Sequence, residues 1–400
     1  MSIAHKSIKS FQIRTESEDD RNHHLTGPFL AQTPLDSSAT KKRASPSIAN
    51  AVTPRPSVWI RWAIDPSTSI KFLLLPVLLY ANWEFLSLFV ELGFSNPFAN
   101  IFLISGYCPD SKPDEPLYRK TYWDLAFLLY YVVFFSFARE MLAIYVSKPA
   151  ARYFRLKRAS KIVRFGEQTY SIFYFMFFGA WGYRIMTQLP TYWYRTEAFW
   201  VDYPTWQMKP ELKRYYLMQF AYWCQQMLIL VLGLEKPRKD HWELVAHHFI
   251  TIWLVGWSYV MNLTWIGNAV YMSMDIPDAF LALSKLFNYI QWDTAKVCSF
   301  AVFFGVWTYF RHLLNIKILW SVVYEQPLVP EWTKRWSWSE GVYMPGWMQF
   351  QIFLPLFLLQ ILNLFWYYLI MRILIRAVHK TGIDDDRSDD EDEGEDDKQD

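Results

Sequence analysis

His247 and His248 are adjacent, and Asp275 and Asp278 stand three residues apart in the next apolar segment. An ionisable side chain near the centre of a bilayer costs about 2.5–3.5 kcal/mol on insertion scales, so its presence in a span marks a functional site by default. A neutral imidazole can take a proton from an attacking amine, or can itself attack an activated acyl group. A carboxylate on the opposite ring nitrogen fixes the tautomer and stabilises the imidazolium. Two other readings use the same residues. The four groups can pair with one another as buried polar glue between helices, or hold a single metal ion as a membrane lipid hydroxylase would. Against the metal, adjacent histidines on a helix diverge by about 100°. Of His 8, His5, His23, His24 and His379 lie outside the spans, which leaves His241, His247, His248 and His312. Acyl transfer uses this inventory without a cofactor.

The elements that must position these groups read as membrane spans. Segments 70–95, 122–147, 169–189, 213–234, 243–262, 264–287, 297–323 and 347–378 are each mostly apolar and long enough to cross about 30 Å of hydrocarbon as helices. The fold class is therefore an all-α polytopic membrane protein with about eight transmembrane helices. The mean hydropathy of +0.01 conceals this, because two polar ends dilute the apolar middle. Aromatic residues are 19% of the chain and gather at segment ends, as in Tyr118, Tyr122, Trp123, Tyr192, Trp193 and Tyr194, in keeping with interfacial belts. Helical spacing places Glu243, His247, Thr251, Leu254 and Ser258 on one face of the fifth segment. In the sixth, Asn268, Tyr271, Asp275, Asp278, Ala282 and Lys285 form a polar stripe. Pro277 removes a backbone donor between the aspartates, which a membrane tolerates only where protein or a water-filled cavity satisfies the freed group.

Basic residues set the orientation. Lys148, Arg152, Arg155, Lys157, Arg158, Lys161 and Arg164 occur in one connection without an acid, and Lys236, Arg238 and Lys239 in another. Placing these in the cytosol puts both termini there. Residues 150–168 read either as an amphipathic helix on that face or as an ordinary basic loop. Residues 1–57 form a basic tail and 381–400 an acidic one, and both are expected to be disordered. Residues 58–164 hold the first two spans and the basic loop. The tail sequence Ser388-Asp389-Asp390-Glu391 has the pattern of an acidophilic kinase site, and Ser45-Pro46 after Arg43 is a weaker one. Asn262-Leu263-Thr264 matches the glycosylation acceptor pattern, but within a short turn at the membrane. Cys108, Cys224 and Cys298 have no disulfide or metal spacing.

Arg238-Lys239-Asp240, His247-His248 followed by Thr251, the element Tyr259 to Asn262, Gly267, the Asp275/Asp278 pair, Lys285 and Asn288-Tyr289 occur in this order within 235–289. This stretch resembles the signature of the ceramide synthases, the longevity-assurance branch of the TLC-domain membrane proteins. Met274, where animal members often carry His, is similar to the fungal type. The resemblance covers residues 165–380 and implies a six- or seven-helix TLC-type bundle enclosing an intramembrane cavity. It implies an enzyme, a sphingosine N-acyltransferase, of the endoplasmic reticulum membrane. That enzyme moves a fatty acyl group from acyl-CoA, its co-substrate, to the amine of sphinganine or phytosphingosine. No metal or other cofactor is implied. His247, His248, Asp275 and Asp278 would be catalytic. Lys236, Arg238 and Lys239 would meet the CoA head, with Tyr259, Asn262, Asn268, Tyr271 and Lys285 as further substrate contacts and Ser388 regulatory. The same resemblance places acyl-length choice near 318–350, and leaves room for a small single-span regulatory subunit and a homo- or heterodimer. A non-catalytic TLC-type lipid sensor or transporter is the alternative class.

Overall fold

The computed structural model describes residues 58–90, 93–234 and 240–379. Both tails, with Ser45 and Ser388, and the basic residues Lys236, Arg238 and Lys239 lie outside them. Eight long helices account for the eight apolar segments: α1 (Pro66–Ser87), α2 (Trp123–Tyr153, with a π-helical turn Ala143–Ser147), α3 (Ala159–Met186), α4 (Pro210–Val231), α5 (His241–Val260), α6 (Thr264–Tyr289), α7 (Asp293–Tyr324, π-helical over Thr308–Leu314) and α8 (Met348–Val378). By length and composition, α1, α2, α7 and α8 can each cross a membrane. The other four fall short because they carry histidines, glutamines, aspartates or basic residues among their apolar ones. The chain is a polytopic helical membrane protein. Its exposed faces are apolar, as at Leu75 and Leu78 on α1 and Phe350 and Leu364 on α8, whereas Asp275, Asn268, Gln219 and Asn363 are fully buried.

Helix α6 is packed against α3 on one side and α7 on the other. From α7 the contacts run to α8, from α8 to α5, from α5 to α4, and from α4 back to α3. Six helices, α3 to α8, thus close into a ring. Helix α2 packs outside it against α4, and α1 outside α2.

Sharp turns make this packing reachable. Four helices end in the same way, with a left-handed residue two positions past the last helical residue, whose neighbours bond back to the last turn. The residues are Arg155, Gly233, Asn262 and Gln291. At α5 the Leu263 N–H donates to the Ser258 carbonyl (2.8 Å), which satisfies a carbonyl the helix end would otherwise leave open. Asparagine tolerates this conformation better than most residues, so Asn262 is the residue that folds α5 and α6 into a hairpin. The same device at Arg155, with Leu156 N–H to the Ala151 carbonyl (3.0 Å), breaks the chain between α2 and α3. A continuous amphipathic helix over 150–168 is therefore not formed: Leu156 instead packs with Ala151, Phe165 and Tyr289.

The short turns 154–158 and 290–292 meet at one end of the molecule, where the Phe154 and Trp292 rings lie 5.8 Å apart. The long connections gather at the other. There Tyr118 and Met208 exchange backbone bonds, and a small antiparallel hairpin, β1 (Trp336–Ser337) with β2 (Val342–Tyr343), supplies the only strands among the described residues. Its Gly341 carbonyl accepts from the Asn262 amide (2.9 Å) and from the Trp206 indole (3.0 Å). Beneath this cap, buried Lys213 pairs with Asp124 (2.8 Å), which also accepts from the Tyr259 hydroxyl (2.8 Å). Lys120 donates to the Tyr259 and Val260 carbonyls at the end of α5 (3.2 and 2.6 Å).

Burial pulls the Lys120 ammonium down from 10.5 to about 8, against the pull of Asp124. The folded chain then gives up this proton before the unfolded chain does, so the contribution of Lys120 to stability rises between about pH 8 and 10.5 and is level on either side. Thermal unfolding of Lys120→Gln across this range should lose that rise relative to the parent. Parallel curves for the two proteins would contradict it.

Candidate functional site

Helices α5 and α6 are joined at the Asn262 turn and face each other across the ring, and both sequence pairs face inward. His247 and His248 are each 6% exposed and Asp275 is 0%. The two imidazoles diverge, with centroids 5.6 Å apart and planes at 89°. Trp223 of α4 lies edge-on to both (5.7 and 5.6 Å), and Trp366 of α8 lies against His247 (5.3 Å). The Trp366 indole is fixed in turn by a bond to Asp240 (3.1 Å). The two tryptophans hold the rings by shape, and neither was visible as a site residue in a sequence with Trp 21.

The Nδ1 atom of His248 lies 2.8 Å from the Leu244 carbonyl. A carbonyl only accepts, so the neutral ring carries its proton on Nδ1 and presents Nε2 as a base. The Nδ1 atom of His247 is buried without a hydrogen-bond partner.

The aspartates do not orient these rings. Asp278 pairs with Arg311 of α7 (2.7 Å). Asp275 accepts from the Gln219 amide of α4, whose own oxygen accepts from the Tyr174 hydroxyl. The expected carboxylate–imidazole bonds thus give way to a guanidinium and an amide, because these donors reach the carboxylates from neighbouring helices. Arg311 is the residue that sequence analysis missed. Its guanidinium also donates to Asn363 (3.0 Å) and to the Met274 carbonyl (2.8 Å), in the turn that Pro277 interrupts, and lies over the Trp307 ring at 4.6 Å. It stands inside the apolar segment 297–323, so the rule that singled out the aspartates applies to it equally. The π-helical stretch of α7 presents both Arg311 and His312 to the interior, where His312 meets Gln360 of α8 (2.8 Å). Among the described residues, no group of three or more His, Cys, Asp or Glu converges as a metal site would need.

Two cavities meet at this centre. One, of about 1030 Å³, is lined by polar and charged groups including His247, His248, Asp278, Lys285 and Arg311. The other, of about 690 Å³, is almost wholly apolar and runs along α5, α6 and α8 past Thr251, Leu254, Val270 and Leu356. His247 and Trp223 line both. Tyr271 lines the apolar cavity. Gly267 does too, and a side chain there would collide with the Tyr216 hydroxyl, so glycine is what lets α4 and α6 approach. Asn268 is buried with its amide unbonded but lines neither cavity. Tyr259 and Asn262 belong to the loop-end cap described above, away from the histidines. The sequence thus groups residues that the structure separates into a reactive centre and an architectural cap.

A family model for the TLC domain matches residues 164–372, which is the ring α3 to α8. The chain is 40% identical to the sphingosine N-acyltransferase lac1 of Schizosaccharomyces pombe over 77% of its length and 80% of that protein's. It is 37% identical to the ceramide synthase LAG1 of Saccharomyces cerevisiae over 74% and 70%. The ceramide synthase 4 of Bos taurus is 33% identical over 48% and 45%. The chain belongs to the TLC-domain family, in its fungal longevity-assurance branch of ceramide synthases.

Removing one partner of a buried ion pair leaves an uncompensated charge and costs about 3–5 kcal/mol, whereas replacing both is often close to neutral. Arg311→Met should therefore lower the unfolding temperature in detergent sharply, and Arg311→Met with Asp278→Leu should recover most of the loss. Equal destabilisation by the single and double substitutions would contradict the pairing.

Proposed function

We propose that the chain transfers a fatty acyl group from acyl-CoA to the amine of a sphingoid base, with His247 at the reacting carbon. The observation that carries this is the position of His247 at the junction of a polar and an apolar cavity. An acyl thioester has the same division: a polar, anionic CoA head on one side of the carbonyl and a hydrocarbon chain on the other. With the chain in the apolar cavity and the head in the polar one, the carbonyl falls beside His247. The names of the relatives support the same activity.

The transfer breaks the thioester C–S bond and forms an amide C–N bond. The amine gives up a proton, and the thiolate of CoA takes one. Each imidazole has one part in this account. His247 attacks the carbonyl as a transient acyl acceptor, or takes the proton of the attacking amine. His248, with Nδ1–H tied to the Leu244 carbonyl, offers Nε2 as the second base. Asp278 and Arg311 then act as a fixed charge pair in the wall rather than as the histidines' orienters, and Asp275 keeps α4 and α6 in register through Gln219. No group beyond acyl-CoA is needed. The sensor or transporter reading has no use for an imidazole at such a junction.

The segregation of the ends supports eight spans enclosing this chamber in the endoplasmic reticulum membrane. The end of the short turns carries Arg152, Arg155, Lys157 and Arg158 and faces the cytosol, as do both termini. The capped loop end faces the lumen. The polar cavity then opens toward the side that supplies acyl-CoA.

A positioned acid–base group is worth roughly 10²–10⁴-fold in rate. In nanodiscs with labelled acyl-CoA and sphinganine, His247→Ala and His248→Ala should each lose activity in that range. Rates near the parent in both would sink the proposal. An acyl adduct on the His247 peptide after incubation without the amine distinguishes covalent from direct transfer.

A further inference from the structure

The polar cavity has two chemically different walls. The wall from α5, α6 and α7 carries the ionisable groups. The opposite wall, from α3 and α4, carries Gln168, Ser171 and Gln226 and no charge. We infer that Gln168, Ser171 and Gln226 bind the hydroxyl groups of the sphingoid base and set the preference among bases that differ in hydroxylation. This rests on the acyltransferase reading above.

Three observations carry it. First, Gln168 is 6% exposed and lines the cavity, yet its amide bonds to no side chain or backbone group among the described residues. An amide without a protein partner takes its hydrogen bonds from what fills the cavity, so Gln168 is open to a hydrogen-bonding guest. Second, the neighbouring groups are tied so as to leave capacity toward the cavity. Gln226 donates to the Gln225 oxygen (3.1 Å), and Gln225 is anchored on Ser136 of α2 (3.4 Å), which leaves the Gln226 oxygen as an acceptor. Ser171 donates to the Glu167 carbonyl (2.9 Å), so its oxygen too can accept. The wall thus offers both donors and acceptors, which is what a hydroxyl needs and what a phosphate does not. The phosphates of CoA belong instead with the basic residues across the cavity. Third, the placement fits the substrate. Gln226 is one helical turn from Trp223, the residue that borders both cavities beside His247, so a hydroxyl on this wall sets the adjacent amine toward the reacting carbon. Phe175, Tyr222 and Ile229 flank the polar groups and give the base's hydrocarbon an apolar exit.

The test uses the purified full chain in nanodiscs, one acyl-CoA and three bases: phytosphingosine, sphinganine and its 1-deoxy analogue. The parent should lose roughly 2–10-fold in kcat/KM with each hydroxyl removed. In Gln168→Leu and Gln226→Leu, these steps should shrink toward unity through a raised KM for the hydroxylated bases, with the KM for acyl-CoA unchanged. Retention of the steps in both variants would overturn the inference, as would a rise in the KM for acyl-CoA in place of that for the base. If neither variant folds, the parent series still decides, because equal kcat/KM for all three bases would overturn it. A parent that acylates none of the bases would sink the acyltransferase reading itself, a different outcome from an active parent with unaltered variants.

Discussion

A polar group carried into hydrocarbon must find its partner on another helix, and this requirement organises the ring. Asp278 on α6 meets Arg311 on α7, and Arg311 meets Asn363 on α8. Asp275 on α6 meets Gln219 on α4, and Gln219 meets Tyr174 on α3. Asn315 and His312 on α7 meet Gln360 on α8. Each bond is worth more for orientation than for net stability, since the unfolded chain in a membrane also finds partners. Its value here is that it fixes which helix lies beside which. Apolar packing against lipid does not discriminate between neighbours in that way. Neither His247 nor His248 takes part in these pairings through a carboxylate.

The second constraint is division of the interior. One cavity is polar and the other apolar, the division that a ligand with an anionic head and a long apolar chain needs. His247 and Trp223 form the boundary. At the loop end, Lys213, Asp124 and Tyr259 form a buried polar cluster apart from both cavities. The residues of the signature stretch 235–289 therefore differ in what they touch. His247, His248 and Lys285 face the cavities, whereas Asn262 makes a helix end, Gly267 makes a close approach possible and Tyr259 joins the cap.

Much of this was legible in the sequence. Eight long helices coincide with the eight apolar segments, and four of them, α1, α2, α7 and α8, are long and apolar enough to cross a membrane. The inward faces of α5 and α6 were legible from helical spacing. The partners were not, since spacing orders residues along one helix but says nothing of which helix lies opposite. For that reason Asp278 was assigned to an imidazole and belongs to Arg311. Trp366 carried no signal at all in so aromatic a chain. The break at Arg155 was hidden as well, because a left-handed cap is usually announced by glycine or asparagine, as at Gly233 and Asn262, and here a basic residue adopts it.

In the proposed reading, one chamber holds the substrate with its carbonyl at His247 and its chain between α5, α6 and α8. An acyl-CoA with a diazirine at the end of its chain can be bound to the protein in nanodiscs and photolysed. Cross-links should then map to the lining of the apolar cavity, to peptides of α6 and α8 that include Val270 and Leu356, and ordinary acyl-CoA should compete. Cross-links on the lipid-facing surface of α1 or on the outer face of α8 at Leu364, insensitive to competition, would contradict it.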